Sequence, residues 1–257
     1  MQWYRTQAGV RPEDEVRVNV ATGDALMTDL SDRLDAGRGF SLATLNLDHV
    51  VKLRRDPAFR DAYRQMSHVT ADGRPIRALC GVAGQPVELL PGSDLIQPVT
   101  ALAARKGVPV AMFGSRQETL DTAAERLAQQ HPGLEVPLRL APSRAFDPAG
   151  AEADAAIEAI GASGAGICYV ALGAPKQERF AARAQALLPS VGFLAIGASL
   201  DFIAGDQTRA PLWVRWIWCE WLWRVGTDPL RLAPRYARCF TVIPDLAVTA
   251  ARHRLSK

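Results

Sequence analysis

The sequence has few cysteines, and they do not pair. Cys80, Cys168, Cys219 and Cys239 are far apart and form no C-x-x-C. That pattern excludes a zinc knuckle and a disulfide framework, and fits buried thiols in a reducing compartment. No stretch reaches the roughly 18 apolar residues that a bilayer span needs. The longest, Ala165 to Pro175 and Val191 to Leu200, have the length of buried strands with their turns. Met1-Gln-Trp-Tyr-Arg has no apolar h-region, so no secretory signal is expected. The glycine fingerprint G-x-G-x-x-G is missing after the first strand-like segment, and G-x-x-x-x-G-K-[ST] is missing throughout, which weighs against dinucleotide and P-loop sites. Asp-x-Asp is missing too, so no ready-made carboxylate pair for a metal-bound diphosphate is present. There is no internal repeat and no low-complexity linker.

What is there divides unevenly. The 257 residues carry a net charge of +3. Arg209 to Lys257 hold nine Lys/Arg against three acids, a balance of +6, and the rest of the chain balances at −3. Five of the six tryptophans fall between Trp213 and Trp223. The last fifth is therefore basic and aromatic, unlike the mildly acidic remainder.

Up to Gly197 the pattern alternates strand and helix. Strands are expected at Val16–Val20, Phe40–Leu45, His68–Thr70, Val108–Phe113, Leu134–Leu140, Gly166–Leu172 and Val191–Ile196. Helices are expected at Leu26–Leu34, Leu47–Met66 with a break at Asp56-Pro57, Pro75–Val82, Asp94–Lys106, Glu118–Gln130, Ala149–Ala162 and Lys176–Leu188. Short, nearly continuous apolar strands flanked by Gly or Pro suit a buried parallel sheet. The expected fold is α/β: a Rossmann-like, doubly wound, mostly parallel sheet over residues 1–197, with a helical C-terminal appendage over 198–257. In the appendage Trp213–Val225 reads as a helix apolar on nearly all sides, either core or inserted in something apolar. Trp with Arg also suits a membrane interface. More helix is expected from Pro229, interrupted at Pro234 and Pro244.

In such folds ligands bind outside the carboxyl ends of the strands, so those ends carry the candidate sites. Thr44-Leu45-Asn46 puts two short hydrogen-bonding side chains on one side, although Asn46 also suits the cap of the next helix. Ala71-Asp72-Gly73 offers a lone carboxylate as a candidate general base, although Asp-Gly is a frequent turn pair and spacing alone favours the turn. Gly114-Ser115-Arg116-Gln117-Glu118 contains an S-x-x-E capping box, and the N–H groups behind Gly114 could meet a phosphate or ribose. In Gly173-Ala-Pro-Lys-Gln-Glu178, Gly173 allows close backbone approach, and Lys176, Gln177 and Glu178 in the first helical turn could all face the same cleft and bind substrate. A cation there opposes the helix dipole, which favours a ligand-facing Lys176.

Together these pieces resemble the bacterial WecG/TagA/CpsF glycosyltransferase family. The resemblance runs from Thr44-Leu-Asn46 to Arg235-Tyr236. It includes Gly92-Ser-Asp94-Leu95, Arg209-Ala-Pro211, Glu220-Trp-Leu-Trp-Arg224 and Pro229-Leu-Arg231. It implies an inverting, metal-independent hexosyltransferase that needs no cofactor. Such an enzyme moves a sugar from a UDP-sugar to a polyprenyl-diphosphate-linked saccharide, at the cytoplasmic face of the inner membrane. The products serve cell-envelope polysaccharide, capsule or exopolysaccharide synthesis. By resemblance Asp72 is the base, and Thr44, Asn46 and Gln177 line the pocket. Arg224 and Arg231 hold the diphosphate, with Arg209 and Arg235 beside them, and the appendage meets the membrane. The sequence departs from the family at Leu89-Leu90-Pro91, where many members carry an Arg. It departs again at Pro234-Arg235-Tyr236, where Arg-Arg-Tyr is usual, and at Ser143-Arg-Ala-Phe146. No nucleic-acid partner is expected. Two rival readings are a nucleotide-dependent oxidoreductase and a non-catalytic adaptor whose Trp and Arg bind membrane or stack on RNA bases.

Overall fold

The structure is a computed structural model that describes residues 1, 3, 15–206, 226 and 229–256, with the Arg231 side chain outside the description. The elements in chain order are α1 (Gly23–Asp35), β1 (Phe40–Leu45), α2 (Leu47–Leu53), α3 (Pro57–Arg64), β2 (His68–Ala71), α4 (Arg74–Val82), α5 (Gly92–Lys106), β3 (Val110–Gly114), α6 (Gln117–Gln130), β4 (Leu138–Leu140), α7 (Ala151–Ala162), β5 (Ile167–Ala171), α8 (Lys176–Leu187), β6 (Gly192–Ala195), α9 (Ser199–Ala204) and α10 (Pro229–Leu255). Six strands form one sheet in the order β2-β1-β6-β5-β3-β4, and every pairing is parallel.

The two-residue period of each strand fills a separate core on each face. From β1, Ala43 and Leu45 join the first core, with Val50, Phe59, Tyr63 and Phe180 from α2, α3 and α8. Phe40 and Leu42 join the second, with Leu30, Ile96, Leu120 and Leu200 from α1, α5, α6 and α9. The helix leaving β1 thus lies on one face and the helix leaving the adjacent β6 on the other. This divergence opens a crevice at the carboxyl ends of those strands.

Val16–Val20 is not a strand. Asn19 and Val20 both direct their N–H groups at the Val69 carbonyl, and the Asn19 side chain accepts from Val69 N–H at 2.7 Å. A side chain takes the place of a ladder bond, so the segment covers the edge of β2 without extending the sheet. β4 is shorter than the expected Leu134–Leu140 and lies at the opposite edge.

Pro234 and Pro244 do not interrupt α10. Both are on its exposed side, while Leu232, Cys239, Val242, Leu246 and Ala250 form a buried stripe at helical spacing. Packing along that stripe outweighs two lost hydrogen bonds on the solvent side. α10 lies against α2 and α4. Arg235 pairs with Asp48 at the start of α2 and Asp245 with Arg54 just past its end, so the two helices run in the same sense. Trp213–Val225 lies outside the described residues.

α9 falls on the appendage side of a boundary at Gly197, yet it packs Leu200 and Ala204 into the second core. The S-x-x-E segment secures it. Ser115 does not cap α6: the cap position is Arg116, with no side-chain bond. Ser115 has φ of +52°, and its hydroxyl donates to Asp201 at 2.7 Å. Thr119 and Arg116 both bond Asp206. Long-range bonds to α9 have replaced the local capping box.

Candidate active site

Asn46 ends β1 and does two jobs at once. Its Oδ1 accepts from the His49 N–H at 3.0 Å, capping α2. Its Nδ2 then has only one direction to point and donates to Asp72 Oδ2 at 3.1 Å. Asp72 follows β2, and its own N–H donates to Leu45 O at 2.8 Å. The cap and the ligand-facing reading of Asn46 are therefore compatible: helix capping fixes the amide that orients the carboxylate. Thr44 lies below, 6% exposed, and its carbonyl accepts from the Tyr63 hydroxyl at 2.8 Å. The Tyr63 hydroxyl is also 2.7 Å from His49 Nδ1. Burial, with the charges of Glu178 and Asp72, raises the Tyr63 pKa well above its usual range, so the phenol stays protonated.

Two glycine turns stand across the crevice. Gly114 ends β3 with φ of +118°, and a Cβ there would meet Ala171 O at 2.4 Å. That contact is with backbone, so no larger residue fits. The Ser115 N–H behind it is taken by the same carbonyl at 2.9 Å. Gly173 follows β5 with φ of +72°, and a Cβ there would meet nothing within 4 Å. The left-handed turn requires glycine there, and no protein atom crowds the position.

Of the next three residues, only Lys176 is half-exposed, and its charge lowers the pKa of Glu152 in α7, after the hydrogen bonds from Ser143. Gln177 is 3% and Glu178 0% exposed. Their polar atoms face inward: Gln177 Nε2 donates to Glu178 Oε1 at 2.9 Å, and Gln177 Oε1 accepts from Gly197 N–H at 2.9 Å. Burial pushes the Glu178 carboxyl up to about 7, against the Gln177 bond and the Lys52 charge. Burial, with Lys52, pushes the nearby His49 down to about 3.

A cationic cleft of about 410 Å³ lies on the same rim. Lys52 comes from α2 and Arg55 from the turn after it, Arg235 and Arg238 from α10, with Asp48, Asp56, Val51 and Pro175 completing the lining. Asp48 Oδ2 pairs with Lys52 at 2.7 Å and with Arg235 at 3.0 Å. Burial opposes the Asp48 charge, but the Lys52 bond and the two cations prevail and hold its pKa below the usual value. Lys52 also donates to Ala174 O at 3.0 Å, tying α2 to the Gly173 turn. Arg209 and Arg224 lie outside the described residues. Arg231 is one turn before Arg235 in α10. Among the described residues no three His, Cys, Asp or Glu side chains cluster as metal ligands, and no helix is long and apolar enough to cross a membrane.

Sequence reasoning did not find Lys52, Arg55, His49 or Tyr63. Asp48 and Lys52 form an i,i+4 pair, a local signal that reads as ordinary helix support. Nothing local pairs α2 with α10.

The model of the glycosyl transferase WecG/TagA/CpsF family matches residues 14–257, nearly the whole chain. The chain belongs to the WecG/TagA/CpsF glycosyltransferase family. Among curated relatives of this glycosyltransferase is the N-acetylglucosaminyldiphosphoundecaprenol N-acetyl-beta-D-mannosaminyltransferase of Bacillus spizizenii. It is 25% identical over 199 residues, covering 77% of this chain and 75% of the relative.

Proposed function

We propose that the enzyme transfers a sugar from a UDP-sugar to a polyprenyl-diphosphate-linked saccharide, with inversion and without a metal. The product would feed a cell-envelope polysaccharide, a capsule or an exopolysaccharide. The Asp72–Asn46 pair carries this reading: a carboxylate oriented by a helix cap at the mouth of the crevice. Asp72 accepts the proton of the acceptor hydroxyl as its oxygen attacks the anomeric carbon. The bond from that carbon to the β-phosphate oxygen breaks, and its electron pair leaves with UDP. Inversion places base and leaving group on opposite sides. At about 4.8 Å per strand, the Gly173 turn is about 14 Å from the strand bearing Asp72, and the Gly114 turn about 19 Å. That separation supports a nucleotide held at Gly114, Gly173 and Lys176 and an acceptor at Asp72. Thr44 and Asn46 line the space between, with Gln177 and Glu178 beneath it.

Without a metal, cations must stabilise the leaving diphosphate. Arg235 supports that role from the cleft, and Arg209, Arg224 and Arg231 are proposed to join it. Acting on a lipid-linked acceptor places the enzyme peripherally on the cytoplasmic face of the inner membrane, held there by the appendage. The mannosaminyltransferase name of the relative supports trying UDP-N-acetylmannosamine first, before its uronic acid, UDP-glucose and UDP-glucuronic acid. A screen of UDP release tests this, with each donor offered to a polyprenyl-diphosphate acceptor analogue, with and without chelator. One donor is expected to dominate and the chelator to change nothing; release that required a divalent metal would contradict the arginine role.

A further inference from the structure

Glu178 plays no part in that reaction, yet a fully buried carboxyl needs a physical reason to be retained. Its Oε1 accepts from Gln177 Nε2, and its Oε2 has no hydrogen-bond partner among the described residues. His49 of α2 faces it with Nδ1 at 3.9 Å, and Tyr63 of α3 lies behind that imidazole. Lys52 and Asp48 of α2 act on it from further away with opposite sign. Among the described residues no full counter-charge is in contact with it.

The neighbouring amide supplies the reason. The two ends of a glutamine amide are nearly the same shape, and what each end meets decides which way it points. Gln177 must present oxygen to the Gly197 N–H. A hydrophobic neighbour at position 178 would leave the amide held by the Gly197 N–H alone, with its buried NH₂ unpaired, and a donor there would oppose that orientation. Glu178 Oε1 accepts whether the carboxyl is neutral or ionised, so it draws the NH₂ group and leaves the oxygen for Gly197. Gly197 follows β6, between the strands that carry Asn46 and Gly173, with φ of +59°.

We propose that Glu178 is a positioning residue that fixes the polarity of the Gln177 amide, and through it holds the β6–α9 turn against the start of α8. The catalytic readout of this proposal rests on the transferase reading above, but its structural readout does not.

The test uses the full chain labelled with ¹³C-carbonyl Ile and ¹⁵N-Gly. Only two Ile-Gly pairs occur, ending at Gly161 and Gly197, so the Gly197 amide is one of two signals, with Gly161 as an internal reference. Glu178→Gln keeps an acceptor oxygen, and is expected to keep both Gly197 exchange protection and turnover. Glu178→Leu should lose about tenfold in each, the size of one hydrogen bond, with the loss in kcat and KM little changed. Gln177→Glu added to Glu178→Leu puts an acceptor oxygen at both ends of side chain 177, so it should recover Gly197 protection without any help from position 178. Glu178→Met, closer to Glu in shape and equally unable to accept from Gln177 Nε2, serves if Glu178→Leu does not fold. Full Gly197 protection in the apolar variant, or a double variant no better protected than Glu178→Leu alone, would overturn the proposal. Protection that follows this pattern, in a wild-type chain that turns over no UDP-sugar, would support the positioning role and reject the transferase reading.

Discussion

Asp72→Asn is expected to lower transfer by about 10³-fold, within the range for removing a positioned general base, and to leave UDP binding unchanged. The substitution isolates proton acceptance from architecture. Asn is the same shape as Asp, and its carbonyl oxygen can still accept from Asn46 Nδ2, the bond that holds Asp72 at 3.1 Å. The N–H of residue 72 still reaches Leu45 O, so the β2–α4 turn is kept. What disappears is the ability to take a proton from the acceptor hydroxyl. Asp72→Ala is a poorer probe, because it strands the Asn46 amide, whose other end is committed to capping α2. Single-turnover transfer and calorimetric UDP binding, measured on the same preparation, check the prediction. Retained turnover, or lost UDP binding, would remove Asp72 from the role of base.

Arg235→Ala should cost about 10²-fold in kcat, as expected for losing one group that stabilises charge developing in the transition state. Two effects add. The guanidinium disappears, and Asp48, which Arg235 and Lys52 share, is left with a single cation on the rim where the diphosphate must pass. Arg235→Lys should recover part of the loss, since an ammonium keeps the charge but not the two-pronged geometry. Arg54→Ala is the control. It breaks the Arg54–Asp245 pair, which fastens the same helix to α2 away from the cleft. An exposed pair of this kind contributes about 1 kcal/mol or less, so turnover should be nearly unchanged. Equal losses in the two variants would show that α10 acts only as a prop.

The parts of the fold written in local pattern were legible in the sequence. Each described strand except β4 was placed to within two residues, because its apolar run is bounded by Gly, Pro or a polar turn. The errors share one cause: a long-range partner displaced a local preference. Val16–Val20 has a strand's composition, but the Asn19 side chain occupies the ladder position on Val69. Ser115 and Glu118 have the spacing of a capping box, but Asp201 takes the Ser115 hydroxyl. Pro234 and Pro244 read as breaks, but the buried stripe of α10 carries the helix through them. Strand-end position put Asp72 and Asn46 among the candidates, but spacing alone favoured a turn at Asp72, and only the folded chain shows the hydrogen bond between the two. Gln177 and Glu178 had the right position for a site but were read as facing the cleft. Their inward orientation depends on His49 and on Gly197, which no local spacing announces. The cleft between α2 and α10 joins residues about 180 positions apart in sequence and could only be seen once the chain was folded.

The central claim is tested most directly by the product itself. The full chain, with UDP-N-acetylmannosamine, a polyprenyl-diphosphate-linked N-acetylglucosamine analogue and excess chelator, should release one UDP for each acceptor that gains one hexosamine, joined through a β-linkage seen at its anomeric proton. UDP released without acceptor, an α-linked product, or no transfer from any UDP-sugar would contradict it.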